Sequence, residues 1–445
     1  MKYDLDSTQS DTLKSRSLIH KLGLNWALGL TSFLVILLIN ALRVPSGLQN
    51  FWAEDGVVFY SDVLNEDFPQ RIFVDSGGGG YLNLSGKLIA EFVGMFPIRL
   101  APVVNFTFVN LVYAILFIVI YNRLHIYFNT KIFLFTFMGF FIFVPIASFD
   151  SVATSINLHF FLLFTSFILI FVKREKSTLV SHSIIFVTCL SDPLAILLIP
   201  AVVASIILQK NLHSYLLTFA FSLLLQVTFI FKFFGDSTRV IGLDPNMIKT
   251  AYLFMDRVVG SSLVPNWGFI DGQALKSGEM SNILILRLVV SFLALSVMVY
   301  SVSVARSIDS VSSKNGKNFL VGLMLITCSV YWSVASFLFN PEPRYAIFPS
   351  LCLVLIFLMS LDSIVSAQKN IKIRRFIKFI VLFLFISIFS TAFQVSSIRD
   401  TEQIWSEQIE AGKNSCKDRS LSKVELRIPP ERNNLLLSVN CKVLR

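Results

Sequence analysis

The sequence predicts an all-α polytopic membrane protein with about nine transmembrane helices, one re-entrant or broken helix pair, and a small α+β outer subdomain at the C-terminal end. Three observations lead there. Of 445 residues, 54% are hydrophobic and 15% charged; the mean hydropathy is +0.70; and long apolar runs recur from Leu22 to Phe393. Soluble domains keep about a quarter of their residues charged. Here the charge is gathered into short segments between the apolar runs.

The first run, "LGLNWALGLTSFLVILLINAL", is long enough to span hydrocarbon and has no small-x-small cleavage site at its end, so it reads as a membrane span rather than a signal peptide. With a cytoplasmic N-terminal tail (1–21), spans are predicted at 22–43, 101–121, 132–149, 157–172, 214–234, 283–304, 318–339, 345–366 and 376–395. The net charge of +10 follows from that topology. Lys14, Arg16 and Lys21 precede the first span, and "KREK" (Lys173–Lys176) and "KNIKIRRFIK" (Lys369–Lys378) fall in short inner loops, as the positive-inside rule requires. No nucleic-acid partner is needed to explain the excess.

Between "KREK" and "QKNLHS" lies "SIIFVTCLSDPLAILLIPAVVASIIL". Its Ser-Asp-Pro interrupts the helical run, and both flanks are basic, so a V-shaped or re-entrant pair fits better than a crossing. Irregular backbone at that depth is tolerated only inside protein or beside a wet cavity. Asp192 is therefore expected in the interior.

Three outer segments are long: 44–100 and 235–282 within a core of residues 22–395, and 396–445 after it. In the first, "KLIAEFVGMFPIRL" sets Leu88, Ile89, Phe92, Val93 and Phe96 on one face and Lys87 and Glu91 opposite. An amphipathic helix lying along the membrane interface is expected, ended by Pro97. The run "DSGGGG" just upstream suits a loop. In the tail (396–445), a polar helical stretch "DTEQIWSEQIEAG" precedes two alternating runs, "KVELRIP" and "LLLSVNC", joined by "PERNN" as in a hairpin. Val424, Leu426 and Ile428 share one face, and Leu435, Leu437, Val439 and Cys441 another. Cys416 is the only other outer cysteine, so a Cys416–Cys441 disulfide is expected, stabilising the tail by about 3 kcal/mol in the chain-entropy model. Cys189, Cys328 and Cys352 lie in apolar runs and need no role beyond packing.

Residues able to carry chemistry gather on the outer side. "FWAEDGVVFY" puts Glu54 and Asp55 a turn or two beyond the first span, where a carboxylate is expected to be hydrated and could act as a general base; the plainer alternative is an acid in the first turn of a short helix. Asp55 is the favoured base, because Gly56 after it lets backbone approach a substrate. "SINLHFFLLF" offers Asn157 and His159 at a helix mouth, against simple interfacial anchoring. "FNPEPRYAIFPS" offers Arg344 and Tyr345 at the start of a span, where Arg could clamp a phosphate and could equally be an interfacial anchor with a belt Tyr. "VPNWGF" carries Trp267, a sugar platform or an interfacial Trp. No metal-ligand spacing is present among the five histidines, and "GGGG" lacks the strand–helix context and lysine of a phosphate cradle. Neither a metal nor another cofactor is implied. "NLS" at Asn83 and "NFT" at Asn105 match glycosylation sequons, a weak pattern.

Taken in order, the acidic motif of the first outer loop, the Asn-x-His mouth, the broken "SDP" pair, the late "RY" and the cysteine-bearing tail resemble the GT-C class of membrane glycosyltransferases. The layout resembles most the phage-type serotype-converting glucosyltransferases of bacterial O-antigen, with "AEDG" and "RY" the most specific pair. Many GT-C members carry Asp-Asp or a separated pair where this chain has Glu54-Asp55, which leaves the identity of the base open. The resemblance implies inverting transfer of a sugar, glucose, from a polyprenyl phosphate donor to a lipid-linked polysaccharide acceptor. It also implies a multi-pass protein of the bacterial inner membrane, N-terminus cytoplasmic and C-terminus periplasmic, with separate proteins making and flipping the donor. The competing classes are a lipid-linked-sugar flippase or other transporter, which would account for Asp192 in a broken helix, and a polysaccharide polymerase or ligase.

Overall fold

The computed structural model describes residues 27–74, 80–143, 152–172, 178–209, 214–233, 246–260, 262, 282–308, 311–339, 343–393, 395, 399–430 and 435–445. The glycine run, the "KREK" loop and Trp267 lie outside them. The chain is mostly helical. In order come α1 (Ala27–Arg43), α2 (Ser61–Asn65), α3 (Leu84–Gly94), α4 (Ala101–Leu124), α5 (Lys131–Phe143), α6 (Leu158–Phe171), α7 (Leu179–Ser191), α8 (Ile199–Gln209), α9 (Ser214–Phe233) and α10 (Met247–Leu253). Then follow α11 (Asn282–Ile308), α12 (Val311–Phe339), α13 (Ile347–Ala367), α14 (Ile371–Ala392) and α15 (Trp405–Ser415), with strands β1 (Lys423–Ile428) and β2 (Leu435–Asn440).

Among the described residues, five helical segments are long and apolar enough to cross a membrane: Ile98–Tyr127, Ser214–Phe233, Leu288–Ser307, Leu320–Phe337 and Arg344–Ala367. The expected spans at 22–43, 132–149 and 157–172 correspond to shorter apolar helices, α1, α5 and α6. A helix the length of α6 rises about 20 Å, short of the roughly 30 Å of hydrocarbon. Hydropathy could not see this, because α6 is not a lipid-facing helix. Every residue of α6 is buried, and it forms the axis around which α4, α7 and α13 pack.

Phenylalanines fill that axis. Phe161 meets Tyr113 and Phe141 edge-on, and Phe164 and Phe167 lie beside Phe348. Lipid is as apolar as these rings, so the gain is close packing rather than escape from water. Buried hydrogen bonds tie neighbouring helices: Asn40 Nδ2 to Asn110 Oδ1 at 2.6 Å between α1 and α4, and Ser166 to Thr188 at 2.7 Å between α6 and α7. At the C-terminal end of α4, Arg123 donates to Val172 O (3.2 Å) and to the Tyr215 hydroxyl (2.8 Å).

The Ser-Asp-Pro interruption behaves as the sequence predicts. After α7 the chain turns through a short 3-10 segment, Pro193–Leu198, and the axis bends by 117°. Asp192 stands at the apex, 2% exposed.

The first outer loop departs from expectation. Ile89 and Val93 of α3 face the core, but Leu88 and Phe96 are exposed, and Lys87 is 3% exposed. Lys87 pairs with Asp62 at 3.1 Å, and Glu91 takes a two-pronged bond from Arg71, one arm at 2.6 Å. The polar face of α3 is thus covered by the loop's own charges. The interfacial expectation took that face to be open to water.

The tail forms the expected hairpin, with Val424 opposite Val439, Leu426 opposite Leu437 and Ile428 opposite Leu435. Its helix starts at Trp405 rather than at Asp400, and Cys441 opens a terminal helical turn. Cys416 and Cys441 are disulfide-bonded, Cα atoms 5.4 Å apart.

Candidate functional site

The site is built on the loop after α1. Ala53 adopts a left-handed backbone (φ 35°), which sharply redirects the chain before Glu54. A π-helical turn, Asp55–Tyr60, follows. Ala153, two residues before Ser155, is also left-handed (φ 50°). Such conformations cost about 1–3 kcal/mol each and gather where surrounding contacts over-determine them. At Ala53 the holding contact comes from the tail, since its N–H donates to Pro429 O at 2.8 Å.

The two adjacent carboxylates part company here. Asp55, expected to be hydrated, is 2% exposed. Its Oδ1 accepts from Ser155 Oγ (2.8 Å) and Ile156 N (3.0 Å), and its Oδ2 from Ser155 N (3.0 Å) and Asn105 Nδ2 (3.3 Å). Two donors on each oxygen leave no lone pair for a substrate proton. Burial pushes the Asp55 carboxyl up from its ordinary range, and the Ser155 hydrogen bonds and the Arg399 charge pull it back. Gly56 serves packing, not substrate approach: a Cβ there would stand 3.0 Å from Ile428 of the tail. Glu54, half-buried at the head of the turn, makes no hydrogen bond or ion pair among the described residues.

Through Ser155 and Ile156, Asp55 fixes the entry to α6. Asn157 is the residue before α6, its Nδ2 donating to Thr154 Oγ1 at 3.0 Å. The His159 ring is oriented by Nδ1 bonding Ile156 O at 2.6 Å. Phe160 meets Tyr345 edge-on, centroids 5.4 Å apart. Arg344 and Tyr345, both half-buried, lie in the 3-10 turn Pro343–Ala346 that leads into α13. The Tyr331 hydroxyl is within electrostatic reach of both Tyr345 and Asp192. Ser191, beside Asp192, accepts at Oγ from Ser85 N at 2.8 Å. Gly86 abuts the Phe59 ring, where any Cβ would collide. Phe59 belongs to the same turn as Asp55, so the contacts close into a ring.

That chain of neighbours links Asp55, Asn157, His159, Tyr345 and Asp192, with Glu54 and Arg344 next in sequence to two of them. Trp267 lies outside the described residues. Cys416 and Cys441 act at a distance, by holding the hairpin whose Pro429 and Ile428 meet the acidic loop.

Several participants were not singled out from sequence. Arg399, 2% exposed, donates to Val152 O and lies over the Trp52 ring at 5.6 Å. Its signal was an arginine just past the last apolar run, on the side where the positive-inside rule does not ask for one. Asn105 and Asn83 read as sequons, yet they are 6% and 0% exposed. Asn105 holds Asp55, and Asn83 caps α3 through Gly86 N. Tyr331 carried no signal beyond being an apolar-run tyrosine.

No family model matches the chain, and no curated protein matches it. Among the described residues no cluster of three or more His, Cys, Asp or Glu side chains could hold a metal ion.

Proposed function

We propose that the protein is an inverting glycosyltransferase that moves a sugar, glucose, from polyprenyl phosphate to a hydroxyl of a lipid-linked surface polysaccharide on the outer side of the bacterial inner membrane. In this reading the chain crosses nine times, with the tail outside. The observation that carries the reading is the closed ring of contacts. It links the mouth of α6 to the arginine turn before α13 and to the acidic turn that carries Glu54, a glutamate with no partner among the described residues.

Glu54 acts as the base. It accepts the acceptor hydroxyl's proton as the oxygen attacks the anomeric carbon, and the bond from that carbon to the phosphate oxygen breaks on the opposite face, inverting the centre. Polyprenyl phosphate leaves with the bonding pair, and Arg344 holds its charge through the planar guanidinium fork. Asp55 positions: saturated with donors, it locks the acidic turn to the mouth of α6.

Purified protein, polyprenyl-phosphate glucose and a lipid-linked acceptor, incubated together, test the reading. Appearance of glucosylated acceptor supports it. Movement of donor across a vesicle bilayer without transfer would replace it with transport, the alternative that Asp192 in a broken helix favours. Lengthening of the polysaccharide without added glucose would replace it with polymerase or ligase activity.

A further inference from the structure

Four buried side chains around the α7 break carry polar atoms that bond to nothing in the described structure: Asn83 Nδ2, Asp192 Oδ2, Gln226 Oε1 and the Tyr331 hydroxyl. Their exposures are 0%, 2%, 0% and 1%. They come from four parts of the chain that the fold brings together. Gln226 Nε2 points at Leu82 O, at 3.5 Å. Ser85 N bonds Ser191 Oγ, and Tyr331 is within electrostatic reach of Asp192. An unsatisfied polar group in an apolar interior is costly, so four around one break call for a ligand.

The donor and acceptor pattern says which kind. The other end of each amide is committed: Asn83 Oδ1 accepts from Gly86 N and Gln226 Nε2 faces a carbonyl, so neither can flip without loss. The open atoms are thus one amide donor, two acceptors and one hydroxyl that does both. A cation would want only acceptors, and an anion only donors. Hydroxyl groups, each donor and acceptor at once, satisfy the set.

An apolar route leads to it. Leu82, Leu190 and Leu225, each next in sequence or nearly so to one of the four, line a groove of about 790 Å³ between α3, α7 and α9 that is otherwise walled by residues such as Phe73, Phe186 and Phe229. A polyhydroxylated head on a hydrocarbon chain matches a polar end joined to an apolar groove.

Resting on the glycosyltransferase reading, we infer that Asn83, Asp192, Gln226 and Tyr331 form the subsite that recognises the hydroxyls of the donor sugar, with the polyprenyl chain in the groove beside α7. These residues set which sugar is accepted and take no part in bond making.

The test compares wild type with Tyr331→Phe, which deletes one oxygen, and Asp192→Asn, which turns the open acceptor into a donor, all quantified as folded protein. Each receives polyprenyl-phosphate glucose and the set of its monodeoxy analogues. In wild type, particular deoxy donors lose about 10- to 100-fold in kcat/KM. In each variant the natural donor falls by a similar factor, and its matching deoxy donor loses nothing further. Equal losses for every donor would mean a packing role and overturn the inference. If no polyprenyl-phosphate hexose is transferred at all, the function proposed above falls by itself, and binding then decides the subsite. Decyl-phosphate glucose raising the melting temperature more than decyl phosphate, with the difference lost in both variants, upholds it; equal stabilisation by the two, or stabilisation by sodium ion alone, overturns it.

Discussion

Glu54 and Asp55 are neighbours in sequence and opposites in environment, which separates their mutants. Glu54→Gln keeps size and removes the base, so transfer falls by about 10²- to 10⁴-fold while melting temperature and insertion stay as in wild type. Asp55→Asn turns an amide N–H₂ toward donors that now have no acceptor. That variant loses about 2 kcal/mol of stability, read as a lower melting temperature, along with its activity. A fully active Glu54→Gln protein would remove the acidic motif from the mechanism. Arg344 is tested by donor-concentration kinetics: Arg344→Ala weakens use of the donor by about 10- to 100-fold, and Arg344→Lys by less, because lysine keeps the charge and loses the fork. If both variants match wild type per folded molecule, Arg344 is an interfacial anchor and holds no phosphate.

Among the elements, the tail is the one whose placement matters most for the site. Trp405 donates from its backbone to Asn50 Oδ1 (2.9 Å) and from its ring to Ile98 O (2.7 Å), while Phe51 packs edge-on to it at 5.2 Å. Asn50 in turn donates to Arg399 O at 3.0 Å. Together with the Ala53–Pro429 bond, these contacts make the hairpin a clamp on the acidic loop, and the disulfide holds the clamp shut. Cys416→Ser loses about 3 kcal/mol of tail stability. Hydrogen exchange over residues 405–415 and 423–428 speeds up, and transfer falls although the helical core melts as before. Unchanged exchange and unchanged transfer would show that the clamp closes without its covalent link.

At the scale of the molecule the expected sidedness can be checked directly. Cysteines placed at Gln368 and at Lys413, in a background lacking the three free cysteines, react with membrane-impermeant maleimide from opposite sides: Gln368 only after the inner face is opened, Lys413 without opening. Reaction of Lys413→Cys only after opening would put an even number of crossings between the N-terminus and the tail, and move the chemistry to the other side. A single reversed label would change the side on which the carboxylate loop is expected.

The sequence by itself determined what local chemistry controls. The apolar runs, the Ser-Asp-Pro break with Asp192 inside it, the hairpin faces and the cysteine pair are all set by period, proline geometry and compartment. Composition could not tell a lipid-crossing helix from α6, because a helix wrapped by others and a helix wrapped by lipid call for the same apolar residues. Only the tertiary structure decided which of two adjacent carboxylates is sealed, because that depends on Asn105, Ser155 and Ile156 arriving from about 50 and 100 residues away. It also decided that Asn83 and Asn105 are interior groups rather than sequons, that Gly56 makes room for the tail, and that Arg399 belongs beside Asp55. Burial and hydrogen-bond partnership are properties of the assembled neighbourhood, and no stretch of one chain segment carries them.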